Sequence, residues 1–436
     1  MGYIPQRALE KLKDYRYKGT DKSLVSNYIL NPFWTWFVTL WPTWIAPNAI
    51  TLSGLAIVCV NFATMLYLDP EYQVLKGGVV IPQWIYLTWG IGLFLYQTFD
   101  AIDGKQARRT GMAGPLGEMF DHGCDAINTT LEVILASQAL NLGRSWWTVA
   151  SQIGTLANFY LTTWEEYHTG EWSLYLISYP CSEISGVLYL GHFSGPVEGI
   201  LMICSIYVIS SIFGSSFWDQ RILTVSGLEN NETITALVPN VGINETFMFF
   251  AGWGLAFNIL SSYWNVYQSC RAKDTSTLKP LLYLLPFPVS AALQVLWMNN
   301  PSLSDSHILK SRVFVPFLCS WGLQFAHQVG RMILAHVTGQ PFPWWDSMWL
   351  WSIVAAIDAN LPYLIGREPL IQSSSRNTEM FIYLALAVSA VTYIRFVTLV
   401  INDITNFLGI ACLTVRKRDT HGEWQDANPA REKKGR

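Results

Sequence analysis

Runs of about 20 mostly apolar residues, enough to cross a bilayer as a helix, recur along this chain. In lipid the backbone must satisfy its own hydrogen bonds, and a run of this length does so as an α-helix. The runs predict ten spans near 48–68, 84–104, 118–141, 145–166, 195–217, 245–268, 280–297, 312–336, 346–365 and 379–413. The last is over-long and is expected to bend or end early. The stretch 172–193 is apolar but broken by Pro180, Gly186 and Gly191, so it reads as re-entrant or as a completion of the neighbouring helix. Charged residues make up 14% of the chain, against about 25% in a soluble protein. The fold class is therefore an all-α polytopic membrane protein with about ten transmembrane helices.

Composition removes several functions. A net charge of −3 gives no basis for nucleic-acid binding. The seven cysteines are scattered, with no CxxC pair and no His/Cys zinc spacing, so no disulfide framework or structural zinc is expected. The first 45 residues lack the apolar core and cleavage site of a signal peptide. Residues 1–46 instead mix six Lys/Arg with Tyr28, Phe33, Trp34, Trp36, Phe37, Trp41 and Trp44, as amphipathic helices at a cytosolic membrane interface do. Ten spans put both basic ends on one side, the cytosol by the positive-inside rule. The loops 103–109 and 271–279 then face the cytosol. The 218–244 loop, with sequons at Asn231 and Asn244, faces the lumen. A third sequon, Asn128, lies inside a span and is expected to stay unused. The expected partition is an interfacial segment 1–46, a first set of transmembrane helices 47–217, a luminal loop 218–244, C-terminal transmembrane helices 245–413 and a basic cytosolic tail 414–436.

Between the second and third apolar runs lies an improbable density of charge: Asp100, Asp103, Lys105, Arg108, Glu118, Asp121, His122 and Asp125. Ionisable groups at membrane depth are expensive and mark function by default. Asp100 and Asp103 share one helix face; Glu118, Asp121, His122 and Asp125 form one stripe on the next helix. Gly104, Ala107, Gly117 and Gly123 let backbones and a ligand approach closely. Four carboxylates packed together repel unless a divalent cation, or two, sits among them. Oxygen ligands suit magnesium, manganese or calcium. Metals held this way can clamp a phosphate, and Arg108 and Lys105 can reach its oxygens. His122 can take a proton, with Glu118 one turn away to orient it. The same cluster also suits a divalent-cation transporter or, less well, a salt-bridge pin between helices.

The residues Asp100, Asp103, Gly104, Ala107, Arg108, Gly117, Asp121 and Asp125 fill the pattern Asp-x2-Asp-Gly-x2-Ala-Arg-x8-Gly-x3-Asp-x3-Asp without a departure. This resembles the signature of the CDP-alcohol phosphotransferases. The resemblance implies a magnesium-dependent enzyme, manganese substituting, that moves a phospho-alcohol from a CDP-alcohol to a hydroxyl and releases CMP. It implies metal ligation by Asp100, Asp103, Asp121 and Asp125. It also implies a CDP site lined by Gly104, Ala107, Arg108 and Gly117, with Asn48, in the Pro47-Asn48-x-Ile-Thr51 start of the first span, touching the nucleotide. The ten spans and the Glu118-x2-Asp121-His122 ending look like the eukaryotic, fungal-style choline/ethanolamine branch. There the donor is CDP-choline or CDP-ethanolamine, the acceptor diacylglycerol, the base His122, the compartment the endoplasmic reticulum or Golgi, and the assembly a homodimer among membrane lipids. Another acceptor, inositol or serine, is the alternative within the family. Trp164, Glu165 and Tyr167 form an aromatic–acidic stretch suited to a quaternary ammonium; the plainer reading is an interfacial aromatic belt.

Overall fold

A computed structural model describes residues 2–13, 19–21, 25–74, 79–169, 188–190, 196–299 and 306–427. Its long helices are α1 (Pro47–Leu68), α2 (Gln83–Thr110), α3 (Pro115–Ala139), α4 (Trp146–Thr169), α5 (Pro196–Phe213), α6 (Ile243–Ala272), α7 (Pro286–Met298), α8 (Phe314–Val337), α9 (Trp349–Ala359) and α10 (Ser375–Leu408). They fall on the ten apolar stretches, and the protein is an all-α integral membrane protein. Nearly all of 172–193 lies outside the described residues.

Local sequence sets the helix ends. Pro47 and Pro115 open α1 and α3, where a missing N–H costs nothing. Gly111 (φ 67°) closes α2 and Gly409 (φ 63°) closes α10 in the left-handed conformation that glycine adopts freely. The over-long last run thus ends at Leu408. Two spans also carry short preceding or following turns: Lys279–Leu282 before α7, and Leu361–Ile365 after α9.

Three of the described helices are long and apolar enough by themselves to cross a membrane: Pro47–Leu68, Lys279–Met298 and Ser375–Leu408. α3 packs on α1, α4, α5 and α8, and also touches α2 and α10. Lipid tails are as apolar as leucine, so helix contacts here depend on close fit and polar bonds. Gln294 of α7 donates to Gln324 of α8 at 3.0 Å and to Ser352 of α9 at 2.8 Å. Bonds of this kind contribute about 0.6 kcal/mol each.

Both flanking segments fold back on the bundle. In the N-terminal run, Trp34 and Val38 are buried while Tyr28 and Trp36 are exposed, giving an amphipathic helix (Asn31–Phe37). Ile4 N–H donates to Asp403 at 2.8 Å. After α10, Arg416–Arg418 pairs antiparallel with Trp424–Asp426. Lys417 Nζ donates to the Gly111 carbonyl at 2.5 Å, and Val415 is buried beside Ala46 and Met112. The tail as far as Ala427 is therefore seated against the turn between α2 and α3.

Candidate active site

The four-residue turn 111–114 brings the last turns of α2 beside the first turns of α3. Carboxylate oxygens of Asp100, Asp121 and Asp125 consequently lie within 4.8 Å of one another. Gln97 donates to Asp100 at 3.1 Å, and the Tyr96 hydroxyl donates to Asp125. Asp103 is buried and accepts the Thr51 hydroxyl from α1. Asp121 Oδ1 is enclosed without a hydrogen-bond partner. Among the described residues no Lys or Arg is within ion-pair distance of any of the four aspartates. Uncompensated carboxylates this close repel by several kcal/mol at an effective dielectric of about 20. The donor set, all oxygen with one atom unused, fits a hard divalent cation.

Around this cluster, α1 supplies Asn48, which is buried and meets Cys412 Sγ at 3.6 Å. A Cβ at Gly117 would lie 4.0 Å from Asn48 Oδ1, so Gly117 keeps the space between α1 and α3 open. A cavity of about 230 Å³ lies beside Cys412, lined also by Asn402, Thr405, Asn406 and Trp424. Gly104 is half-buried, Ala107 buried and Arg108 exposed, all in the last turns of α2. Lys105 Nζ is held by Asn31 at 2.6 Å and Thr35 at 3.2 Å, on the N-terminal helix.

His122 sits between two acidic residues. Its Nδ1 is 3.1 Å from the main-chain carbonyl of Glu118, and its Nε2 is 3.9 Å from Glu166 Oε2. Donor atoms of Glu118, Glu166 and His336 lie within 4.8 Å of one another. Sequence spacing pointed to Glu118 as the partner of His122, and it is the Glu118 main-chain carbonyl that meets Nδ1. Glu166 was visible only as one acid in the stretch beginning at Trp164, with nothing to say which helix face met His122. His336, from α8, carried no sequence signal at all.

The other members of that stretch point elsewhere. Trp164 Nε1 donates to the Pro280 carbonyl at 2.9 Å, Glu165 accepts from Asn265 at 2.8 Å, and the Tyr167 hydroxyl donates to the Gln340 carbonyl at 3.1 Å. The structure does not gather these three beside the aspartates. Successive helical residues point about 100° apart, so Glu166 faces α3 while Glu165 faces α6. His327 and Arg331 close a buried network on Asp346, at 2.7 and 3.6 Å.

Residues 44–211 match the family model described as CDP-alcohol phosphatidyltransferase. A CDP-alcohol phosphatidyltransferase class-I family protein of Schizosaccharomyces pombe is 37% identical over 94% of this chain and 97% of its own. Choline/ethanolaminephosphotransferase 1 of Saccharomyces cerevisiae is 35% identical over 96% and 99%. The protein of that name in Arabidopsis thaliana is 32% identical over 96% and 100%.

Proposed function

The chain belongs to the CDP-alcohol phosphatidyltransferase family, and on that premise we propose that it transfers phosphocholine or phosphoethanolamine from CDP-choline or CDP-ethanolamine to diacylglycerol, releasing CMP. The observation that carries this reading is the convergence of Asp100, Asp121 and Asp125 beside His122, on a framework shared nearly end to end with choline/ethanolaminephosphotransferases.

In this reading Asp100, Asp103, Asp121 and Asp125 hold magnesium, as two ions, with manganese able to substitute. A cation bound there would neutralise the carboxylates and stabilise charge on the phosphate oxygens. Thr51 fixes Asp103, and Tyr96 and Gln97 fix Asp125 and Asp100. Gly104, Ala107 and Gly117 leave room for the CDP moiety; Arg108, exposed and with its guanidinium beside Gly104, contacts its phosphates. Asn48, next to the cavity at Cys412, contacts the nucleotide. His122 accepts the proton of the diacylglycerol hydroxyl, whose oxygen bonds to the β-phosphorus as the bond to CMP breaks. Glu118 supports His122 through the carbonyl that meets Nδ1. Trp164, Glu165 and Tyr167 pack α4 against its neighbours and are given no substrate contact in this reading.

The acceptor is too apolar to leave the bilayer, which accounts for a membrane-embedded site. We place the enzyme in the endoplasmic reticulum or Golgi with the site facing the cytosol, supported by the basic residues at both ends. We also propose that it assembles as a homodimer among membrane lipids. Purified protein given diacylglycerol, magnesium and either CDP-amine is expected to release CMP, and a chelator to stop it. No CMP from either donor overturns the reading.

A further inference from the structure

The signature pattern leaves two positions open between Gly104 and Ala107, filled here by Lys105 and Gln106. Gln106 is 0% exposed. Its Nε2 donates to the Pro42 carbonyl at 2.9 Å and to the Ile45 carbonyl at 3.0 Å. Its Oε1 accepts from Arg109 at 2.8 Å, and Arg109 also donates to the carbonyls of Val38 and Trp41. An amide has two N–H donors, and both are spent here. Turning the amide over would set Oε1 against two carbonyls, so the network fixes its orientation. Residues 41–46 form no helix, and carbonyls in such a stretch need partners from elsewhere in the protein.

This stretch runs directly into α1. Six residues after Ile45, the Thr51 hydroxyl donates to Asp103, which lies one turn before Gln106 on α2. The contacts therefore close a ring: Gln106 holds Ile45, the chain leads on to Thr51, and Thr51 returns to α2 at Asp103. Asn48 lies on the arc between them. Apolar contacts hold the interfacial segment separately, with Trp34 and Val38 clustered against Ile50 and Ile102. Loss of the amide would thus loosen the ring without detaching the segment.

We infer that Gln106 is a positioning residue for the CDP site: its amide fixes where α1 begins relative to α2, and so places Asn48 and the Thr51–Asp103 contact. This rests on the transferase reading above, in which those groups serve the nucleotide. Gln106 is enclosed and spent on protein groups, so it touches neither substrate.

The test uses the full-length protein, read by thermal midpoint, equilibrium binding of CDP-choline with magnesium present, and KM for each substrate. Gln106→Met keeps the side chain's length and removes both donors. Gln106→Glu keeps the acceptor for Arg109 and removes the donors. Each is expected to weaken CDP-choline binding about tenfold, since a misplacement of about 1 Å can cost about a hundredfold. KM for diacylglycerol is expected to stay near the wild-type value. Thr51→Val opens the ring at its other side. The Gln106→Met, Thr51→Val double variant is therefore expected to bind CDP-choline within about twofold of the weaker single variant, because coupled sites are not additive. Losses that multiply make Gln106 an independent packing group and overturn the inference. So does wild-type CDP-choline binding in either Gln106 variant, or an equal rise in both KM values. Should Gln106→Met fail to fold, Gln106→Glu decides: weakened CDP-choline binding with diacylglycerol KM unchanged supports the inference, and unchanged binding overturns it. Wild-type protein that neither binds CDP-choline nor releases CMP overturns the transferase reading and is distinct from all these results.

Discussion

At the scale of single residues, Asp121 and His122 are neighbours in sequence with different surroundings. Asp121 Oδ1 is enclosed and unpartnered, facing Asp100 and Asp125, while His122 turns toward Glu118 and Glu166. Adjacent helical residues point about 100° apart, so one helix serves both the acidic cluster and the base. The two roles make separable predictions. His122→Ala is expected to cut CMP release by about 10²- to 10⁴-fold, the usual contribution of a positioned base, with CDP-choline binding nearly intact by calorimetry. Asp103→Ala is expected to weaken both turnover and magnesium-dependent binding. Equal loss of nucleotide binding in the two variants would count against the assignment of His122.

At the scale of elements, α3 carries the site and α8 presses on it. Gly322 of α8 faces Thr130 of α3, and a Cβ there would come within 2.7 Å of the Thr130 Cβ. Nothing flexible is available to move, because the obstructing atoms are the branched root of a buried side chain. Gly322→Ala is expected to destabilise the protein by about 1–3 kcal/mol, as overpacking does, read as a lower thermal midpoint in detergent. Gly→Ala at Gly252, on the open face of α6, meets nothing within 4 Å and provides the neutral control. The positions of the helices were legible in the apolar runs, since length and hydropathy are local properties. Which faces touch was not, because Gly322 has no signature that distinguishes it from any other small residue in a span.

At the scale of the whole molecule, the acidic site and the 218–244 loop occupy opposite ends of the bundle. That loop reaches the far end of α3, where Asn141 donates to Asp219 and Asn244 donates to the Leu140 carbonyl at 3.2 Å. The two sequons in this region are consequently unequal. Asn231 is an exposed helix cap, whereas Asn244 is 7% exposed and tied to Leu140 and Asp219. If the site faces the cytosol, Asn231 lies in the lumen and is expected to carry a glycan, while Asn244 carries none. Protein expressed in a eukaryotic host should shift on glycosidase treatment, and Asn231→Gln should abolish the shift. A shift that survives Asn231→Gln overturns this assignment.

The primary sequence alone determined the all-α membrane class, the ten helical stretches, and the pattern of aspartates three and four residues apart on consecutive helices. Those are properties of spacing and hydropathy along one chain. Only the tertiary structure decided that Asp100 meets Asp121 and Asp125 while Asp103 is tied to Thr51 of α1. It alone turned Glu166 to His122 and Glu165 to Asn265, and seated the basic tail against Gly111. These depend on how helices distant in sequence rotate and pack against one another, and helical periodicity fixes which residues share a face without fixing what that face meets.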